Sequence, residues 1–195
     1  MNNKKDLIRS KLKTLRNTHS QEFIINNSTK IKERLFSLSA IQKCNIIAFY
    51  SSIDNEVQTH DMIDYALSLD KQVCLPKLNS SEKTLTFYKI NSRDSLKINS
   101  FGILEPSDET VCTEFDIIIT PGIAFDQFGH RIGFGHGYYD IFLTHAGYTK
   151  IALAFDFQVL DSIPTTEYDI PVDVIVTETT TIQIEMHIAI SKQLN

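Results

Sequence analysis

Arg131, the alternating glycines Gly133, Gly135 and Gly137, and Asp140 fall within ten residues, and this grouping of residue types points to phosphate chemistry. Four of the seven glycines of the chain lie between positions 129 and 137. Ordered glycine costs conformational entropy and is useful where backbone must take φ > 0 or approach a ligand, so the run can turn amide N–H groups toward a large anion. Arg131 offers phosphate oxygens a guanidinium fork that lysine cannot reproduce, and Asp140 can hold a Mg²⁺ ion bridging phosphates. Asp140 is equally an ordinary acid of a first helical turn. Asp169 and Asp173, in Tyr168-Asp-Ile-Pro-Val-Asp173, can supply a second metal ligand or simply form a turn. The run is not a P-loop, because no Gly-Lys-Ser/Thr closes it, and its spacing is not the Gly-x-Gly-x-x-Gly of dinucleotide sites.

The flanking sequence places this loop. Leu7, Ile8, Leu12 and Leu15 recur at helical spacing, and Phe23, Ile24, Ile31, Leu35 and Leu38 repeat the pattern after a Ser20 cap with Glu22 in the first turn. The first helix carries a basic patch of Lys4, Lys5, Arg9, Lys11, Lys13 and Arg16, which reads either as a solvated face or as a surface for an anion. Asn45 to Tyr50 is a buried strand, Thr59 caps a helix, and Gln72 to Pro76 is a second strand: the order of a parallel crossover. Thr84 to Ile90 alternates like a half-exposed strand, and Phe115 to Thr120 is a buried strand ending at Pro121-Gly122. The glycine run thus lies between a strand end and a short helix expected over Tyr138 to His145, the position where open α/β sheets bind ligands. Lys150 to Phe155 and Asp173 to Thr177 are further strands, and Thr181 to Ile188 alternates like an edge strand. All of this fits one α/β domain spanning residues 1–195.

Composition sets limits on function. Hydrophobic residues make up 42 % of the 195 and charged residues 22 %, as in an ordinary globular protein, and the net charge of −5 argues against nucleic acid as a partner. Cys44, Cys74 and Cys112 are odd in number and widely spaced, and are expected to be reduced core residues rather than disulfide or zinc ligands. No apolar stretch approaches the ~20 residues that span a bilayer, and the amino terminus lacks the run of a signal peptide, so a cytoplasmic protein with no membrane partner is expected. The histidines show no metal-ligand spacing, and no serine or cysteine sits in a nucleophile motif.

Pro121-Gly-Ile-Ala-Phe-Asp126 followed by Gly129-x-Arg131-x-Gly133-x-Gly135-x-Gly137-Tyr138-Tyr139-Asp140 resembles the signature of the 5-formyltetrahydrofolate cyclo-ligase family, also called methenyltetrahydrofolate synthetases. Lys5-x-x-x-Arg9, Tyr50 with Asn55-Glu56-Val57-x-Thr59, Leu75-Pro76-Lys77, Gly102-Ile-x-Glu105-Pro106 and Asp169-x-x-Val172-Asp173 extend the likeness along the chain. The resemblance implies a three-layer α/β sandwich with a mostly parallel central sheet, of the NagB/RpiA/CoA transferase-like kind. It implies ATP- and Mg²⁺-dependent conversion of 5-formyltetrahydrofolate to 5,10-methenyltetrahydrofolate through an N5-iminium phosphate, releasing ADP and phosphate. By matching positions, ATP would meet Lys5, Arg9, Arg131, Ile132, Gly133, Phe134, Gly135, His136, Gly137, Tyr138 and Tyr139, with Arg131 or Arg9 acting on the transferring phosphoryl. The folate would meet Tyr50, Ser51, Glu56, Phe134, Gly135, His136, Gly137 and Tyr138, and Mg²⁺ would meet Asp140 and Asp169, with Asp173 as the lesser substitute. Phe134 and His136 depart from relatives that carry basic residues there. The chain is expected to act as a monomer. Two other readings stay open: a sugar-phosphate isomerase or CoA-transferase-like enzyme working without ATP, and a non-catalytic folate or nucleotide sensor.

Overall fold

The computed structural model describes residues 2–79, 81–99, 102–107, 110–144 and 147–185. Three helices, α1 (Asn2–Thr18), α2 (Gln21–Ser37) and α3 (Ser39–Lys43), lead into strand β1 (Ile46–Ala48), and α4 (His60–Ser68) carries the chain to β2 (Gln72–Asn79). There follow β3 (Thr84–Ile90), a ribbon of β4 (Leu96–Ile98) and β5 (Leu104–Pro106), then β6 (Val111–Cys112) and β7 (Ile117–Thr120). Strands β8 (Ala124–Asp126) and β9 (Arg131–Ile132) precede α5 (Tyr138–Phe142), after which come β10 (Thr149–Leu153), β11 (Val159–Leu160), β12 (Val174–Val176) and β13 (Thr181–Gln183).

Eight strands form one sheet in the order β13-β12-β10-β7-β1-β2-β3-β6. The five from β12 to β2 are parallel, while β13, β3 and β6 are added antiparallel at the two sides. This is a mixed α/β fold with a largely parallel sheet, and the β1-α4-β2 crossover is where the sequence places it. Strand periodicity sorts the core into two faces. Ile47, Phe49, Val73, Leu75, Ile117, Ile119, Ile151 and Leu153 pack with Ile24, Ile31 and Leu35 of α2 and with Met62, Ile63 and Ala66 of α4. Ala48, Cys74 and Ile118 face the other way, toward Leu143, Phe87 and the α5 aromatics, and Ala152 and Ile175 meet Phe125 of β8. Each fully buried isoleucine contributes about 1.5–3 kcal/mol by leaving water.

Local expectations hold in some places and shift in others. Ser20 caps α2, its hydroxyl accepting from Phe23 N–H at 3.1 Å. Thr59 sits at the start of α4 but makes no cap: its hydroxyl donates to Tyr50 O at 2.7 Å and accepts from Ser52 N–H at 3.1 Å. Fully buried, Thr59 satisfies the polar loop that carries Ser51 and Glu56 instead of the helix end. The cysteine expectation is corrected, because Cys74 and Cys112 form a disulfide with a Cα–Cα distance of 6.5 Å, leaving only Cys44 as a free thiol. The two lie 38 residues apart in sequence and meet because β2 and β6 both pair with β3. Helix α5 ends at Phe142, and His145 lies outside the described residues. The edge strand is present over Thr181–Gln183, paired antiparallel with β12; positions 186–188 lie outside the described residues.

A second, three-stranded sheet of order β11-β8-β9 presents Arg131. Its β8–β9 turn depends on Asp126, which is 1 % exposed. Oδ1 accepts from Phe128 N–H and His130 N–H, both at 3.0 Å, while Oδ2 accepts from Ile163 N–H at 3.1 Å and stands 3.1 Å from His130 Nδ1. Asp126→Ala leaves these buried donors without an acceptor and is expected to lower unfolding free energy by about 2–4 kcal/mol, read from the urea midpoint.

Candidate functional site

A cavity of about 560 Å³ opens beyond the carboxyl ends of the parallel strands, lined by Tyr50 and Ser51 after β1, Pro76 and Leu78 of β2, and Pro121 after β7. Helix α1 contributes Lys5 and Arg9, the loop before α4 contributes Ile53 and Glu56, and the glycine run contributes Arg131 through Tyr139. Asp140 and Asp169 complete the charged lining, with Leu85, Ile103 and Glu105 on the remaining wall. Every residue the sequence reading assigned to nucleotide, folate or Mg²⁺ therefore lines this one space. Asp173, the substitute metal ligand, does not: its Oδ2 accepts from Lys150 N–H at 2.7 Å and pairs with Lys150 Nζ at 3.1 Å.

The glycine run passes close to α1. Gly135 at φ +106° and Gly137 at φ +75° occupy the left-handed region that disfavours side chains, whereas Gly133 does not. A β-carbon on Gly135 would stand 3.6 Å from the Arg9 guanidinium carbon, so the loop backbone runs along that cation. Arg9 Nε donates to Gly133 O at 2.8 Å, and Arg9 Nη1 also pairs with Asp6. Phe134 lies under the Lys13 ammonium, 4.7 Å from its ring centroid, and 5.9 Å from the Arg16 guanidinium carbon. Two α1 cations thus stand over the ring of Phe134 on this loop. His136 is exposed, its ring 6.0 Å from that of Tyr138.

The cations carry their own counter-charges. Arg131, 4 % exposed, donates from Nη2 to Asp140 Oδ1 at 2.8 Å, and its Nε is buried with no partner. Burial pulls its guanidinium below the usual range, and the negative charges of Asp140 and Asp169 oppose that pull. Lys5 Nζ donates to both Asp169 oxygens, at 2.7 and 2.5 Å, and Thr166 N–H reaches Oδ2 at 2.6 Å. Burial pushes the Asp169 carboxyl up, but Lys5 and Thr166 outweigh it and hold the group below the ordinary carboxylate range. Asp140 and Asp169 are thus two side-chain oxygen donors on one cavity, and among the described residues no group of three His, Cys, Asp or Glu side chains gathers into a protein-only cage. Such a set suits Mg²⁺, which takes one or two carboxylates and completes its shell with phosphate oxygens and water.

Glu56 behaves differently. It is 6 % exposed, and burial raises its carboxyl to about 7. Ile53 N–H, donating to Oε2 at 3.0 Å, and Arg16, 3.8 Å away, oppose the rise. Beside it the Tyr50 hydroxyl donates to Val57 O at 2.9 Å. Two groups escaped assignment in the sequence. Arg16 stood in the basic patch without a role, although it follows Arg9 by seven residues, two turns along the same helical face. Glu105, buried in the cavity wall and accepting from Leu78 N–H at 3.0 Å, stood in the stretch Gly102-Ile-x-Glu105-Pro106 of the family likeness, likewise without a role.

A largely parallel sheet with a glycine-turned loop and buried cations at its strand ends is an α/β fold whose cavity suits an anionic ligand. The 5-formyltetrahydrofolate cyclo-ligase family profile matches residues 1–178. The 5-formyltetrahydrofolate cyclo-ligase of Escherichia coli K12 is 31 % identical over 74 % of this chain and 84 % of its own, and the probable cyclo-ligase of Caenorhabditis elegans is 28 % identical over 91 % and 94 %. The solution structure of Aquifex aeolicus 5,10-methenyltetrahydrofolate synthetase superimposes with a TM-score of 0.84 at 34 % identity, covering 93 % of each chain. A Mycoplasma pneumoniae synthetase shares the fold at 22 % identity, with a TM-score of 0.73 over 89 % of this chain and 98 % of the other. This chain belongs to the 5-formyltetrahydrofolate cyclo-ligase family, ligases that act on folate in one-carbon metabolism.

Burial of Glu56 has a sign that can be tested. Between its unfolded value of 4.5 and about 7 in the fold, the native state holds a proton that the unfolded chain has released, so stability falls as pH rises through that window. Replacing it by a neutral isostere removes this term. The stability of Glu56→Gln relative to the parent is expected to gain about 3 kcal/mol between about pH 4 and about pH 8, measured by urea unfolding at each pH.

Proposed function

We propose that the chain converts 5-formyltetrahydrofolate to 5,10-methenyltetrahydrofolate with ATP and Mg²⁺, releasing ADP and phosphate. The observation that carries this reading is the convergence of Lys5, Arg9, Glu56, Arg131, Asp140 and Asp169, drawn from five separate segments, on one cavity. In this reading Lys5, Arg9 and Arg131 face the triphosphate, and the loop from Ile132 to Tyr139 wraps the nucleotide. Mg²⁺ held by Asp140 and Asp169 would neutralise charge on the transferring phosphoryl group. The Glu56 carboxylate accepts N–H donors of the pterin, with Tyr50, Ser51 and Tyr138 beside it.

The formyl oxygen attacks the γ-phosphorus as the bond to ADP breaks, leaving an N5-iminium phosphate. N10 then adds to the iminium carbon and loses its proton, and the phosphate departs with the C–O electron pair. Phosphorylation turns a poor leaving oxygen into a good one. The chain's contribution is alignment and charge: Arg131 and Arg9 hold the oxygens that gain negative charge, and Asp140 fixes the Arg131 fork. The reading includes the three-layer NagB/RpiA/CoA transferase-like arrangement and a cytoplasmic monomer; no described helix is long and apolar enough to cross a membrane.

Purified protein given 5-formyltetrahydrofolate and Mg²⁺ should show the methenyl absorbance rise only when ATP is added. No rise from folded, ATP-binding protein would favour a sensor, and turnover of a sugar phosphate or CoA ester without ATP would favour the rival enzymes. Arg131→Ala is expected to lower turnover by about 10³ or more and weaken ATP binding with the fold retained, checked by the same assay and circular dichroism. Wild-type kinetics in that variant would defeat the assignment.

A further inference from the structure

Arg16 is a buried cation that the proposed reaction does not use. It is 4 % exposed, lies outside the cavity lining, and has an Nε atom with no hydrogen-bond partner. Its Nη1 stands 3.8 Å from Glu56 Oε1, and its guanidinium carbon stands 5.9 Å from the Phe134 ring centroid. Its backbone oxygen accepts from Asn55 Nδ2 at 3.5 Å, fastening the end of α1 to the loop that carries Glu56. A guanidinium taken out of water at this depth is destabilising unless a charge meets it, and Glu56 is the carboxylate within ion-pair range. The pair is therefore set toward a cavity, with Glu56 at its wall and Arg16 behind.

We propose that Arg16 is a positioning residue, which keeps the Glu56 carboxylate ionised and aimed into the cavity so that it can accept the N–H donors of the folate. The proposal rests on the reading that Glu56 receives the pterin. Around Glu56, Arg16 and Lys13 of α1 favour the charged form, Asp54 on its own loop opposes it, and Tyr50 and Tyr139 face it with neutral hydroxyls. Burial drives the carboxyl toward the protonated state, in which it loses acceptor capacity; Ile53 N–H opposes this first and the Arg16 guanidinium, 3.8 Å away, opposes it next. The Phe134 ring centroid lies 5.9 Å from the same guanidinium carbon, so one cation meets both the Glu56 carboxylate and the glycine loop.

The test is equilibrium binding of 5-formyltetrahydrofolate without ATP, from about pH 6 to about pH 9, to the parent, Arg16→Gln, Arg16→Lys, Glu56→Gln and the Arg16→Gln/Glu56→Gln double variant. The ligand's own titration is common to all of them. Parent affinity should rise through about pH 7, the value to which Glu56 is raised. In Arg16→Gln the midpoint should move up by about one unit, a loss of roughly fivefold at pH 7 that approaches tenfold toward pH 6 and disappears by about pH 9. Arg16→Lys should shift less in the same direction, and Arg16→Gln should add no pH dependence in the Glu56→Gln background. A loss in Arg16→Gln that is equal at every pH, or no loss, overturns the positioning role while leaving the Glu56 reading intact. Parent-like affinity and pH dependence in Glu56→Gln overturns both. If Arg16→Gln does not fold by thermal melting, Arg16→Lys carries the test, and an unmoved midpoint there defeats the proposal.

Discussion

Burial of positive charge is the constraint from which the rest of this site follows. Arg131 and Arg16 are both 4 % exposed, and a guanidinium at that depth is stable only where carboxylates, rings or a ligand anion replace its water. Asp140 answers Arg131, Glu56 answers Arg16, and Asp169 answers Lys5, while Arg9 pairs with Asp6 on its own helix. The pairs also explain the contrast between the acids. Asp169, with an ammonium and two Thr166 donors at short range, is held below the ordinary range, whereas Glu56, with one backbone N–H and a more distant guanidinium, is left high.

The sheet makes this arrangement possible. Parallel strands β12 to β2 end on one side, and the loops leaving β1 and β7 meet there with the end of β2. The small β11-β8-β9 sheet then turns the chain back so that Arg131 enters from beneath the glycine loop, and Asp126 fixes that turn with both carboxylate oxygens. Gln158 braces the adjacent segment, its Nε2 donating to Gly122 O at 3.2 Å and Ile123 O at 3.0 Å.

Much of this was legible in the sequence, for physical reasons. Isoleucine- and valine-rich runs in β1, β7, β10 and β12 are buried on both faces and leave a strong local pattern, and the spacing of Arg131, the glycines and Asp140 is a local motif. Glu56 carries no local sign of its role and was assigned only by resemblance to the family, which also chose between the alternatives left open for Lys5 in the basic patch and for Asp169 in its turn. Contacts set by the crossing of distant segments were not legible. The Cys74–Cys112 pairing depends on both strands lying beside β3, and the Arg16–Glu56 pair depends on the angle at which α1 crosses the loop before α4. Thr59 shows the limit of local rules: a residue type favoured at caps was taken by a buried loop that needed its hydroxyl more.

Among its described side chains helix α1 buries Leu12 and Arg16, and Leu12 with Ile8 packs against Ile123, Ala124, Ile132 and Ile163. Charge fastens it as well: Lys5 to Asp169, Arg9 to Gly133 O, and Lys13 over Phe134. Lys5 and Arg9 also line the cavity that a ligand would enter. An anion that enters the cavity would compete with Asp169 and Gly133 O for these same cations, so ligand binding and the seating of this helix draw on one set of charges.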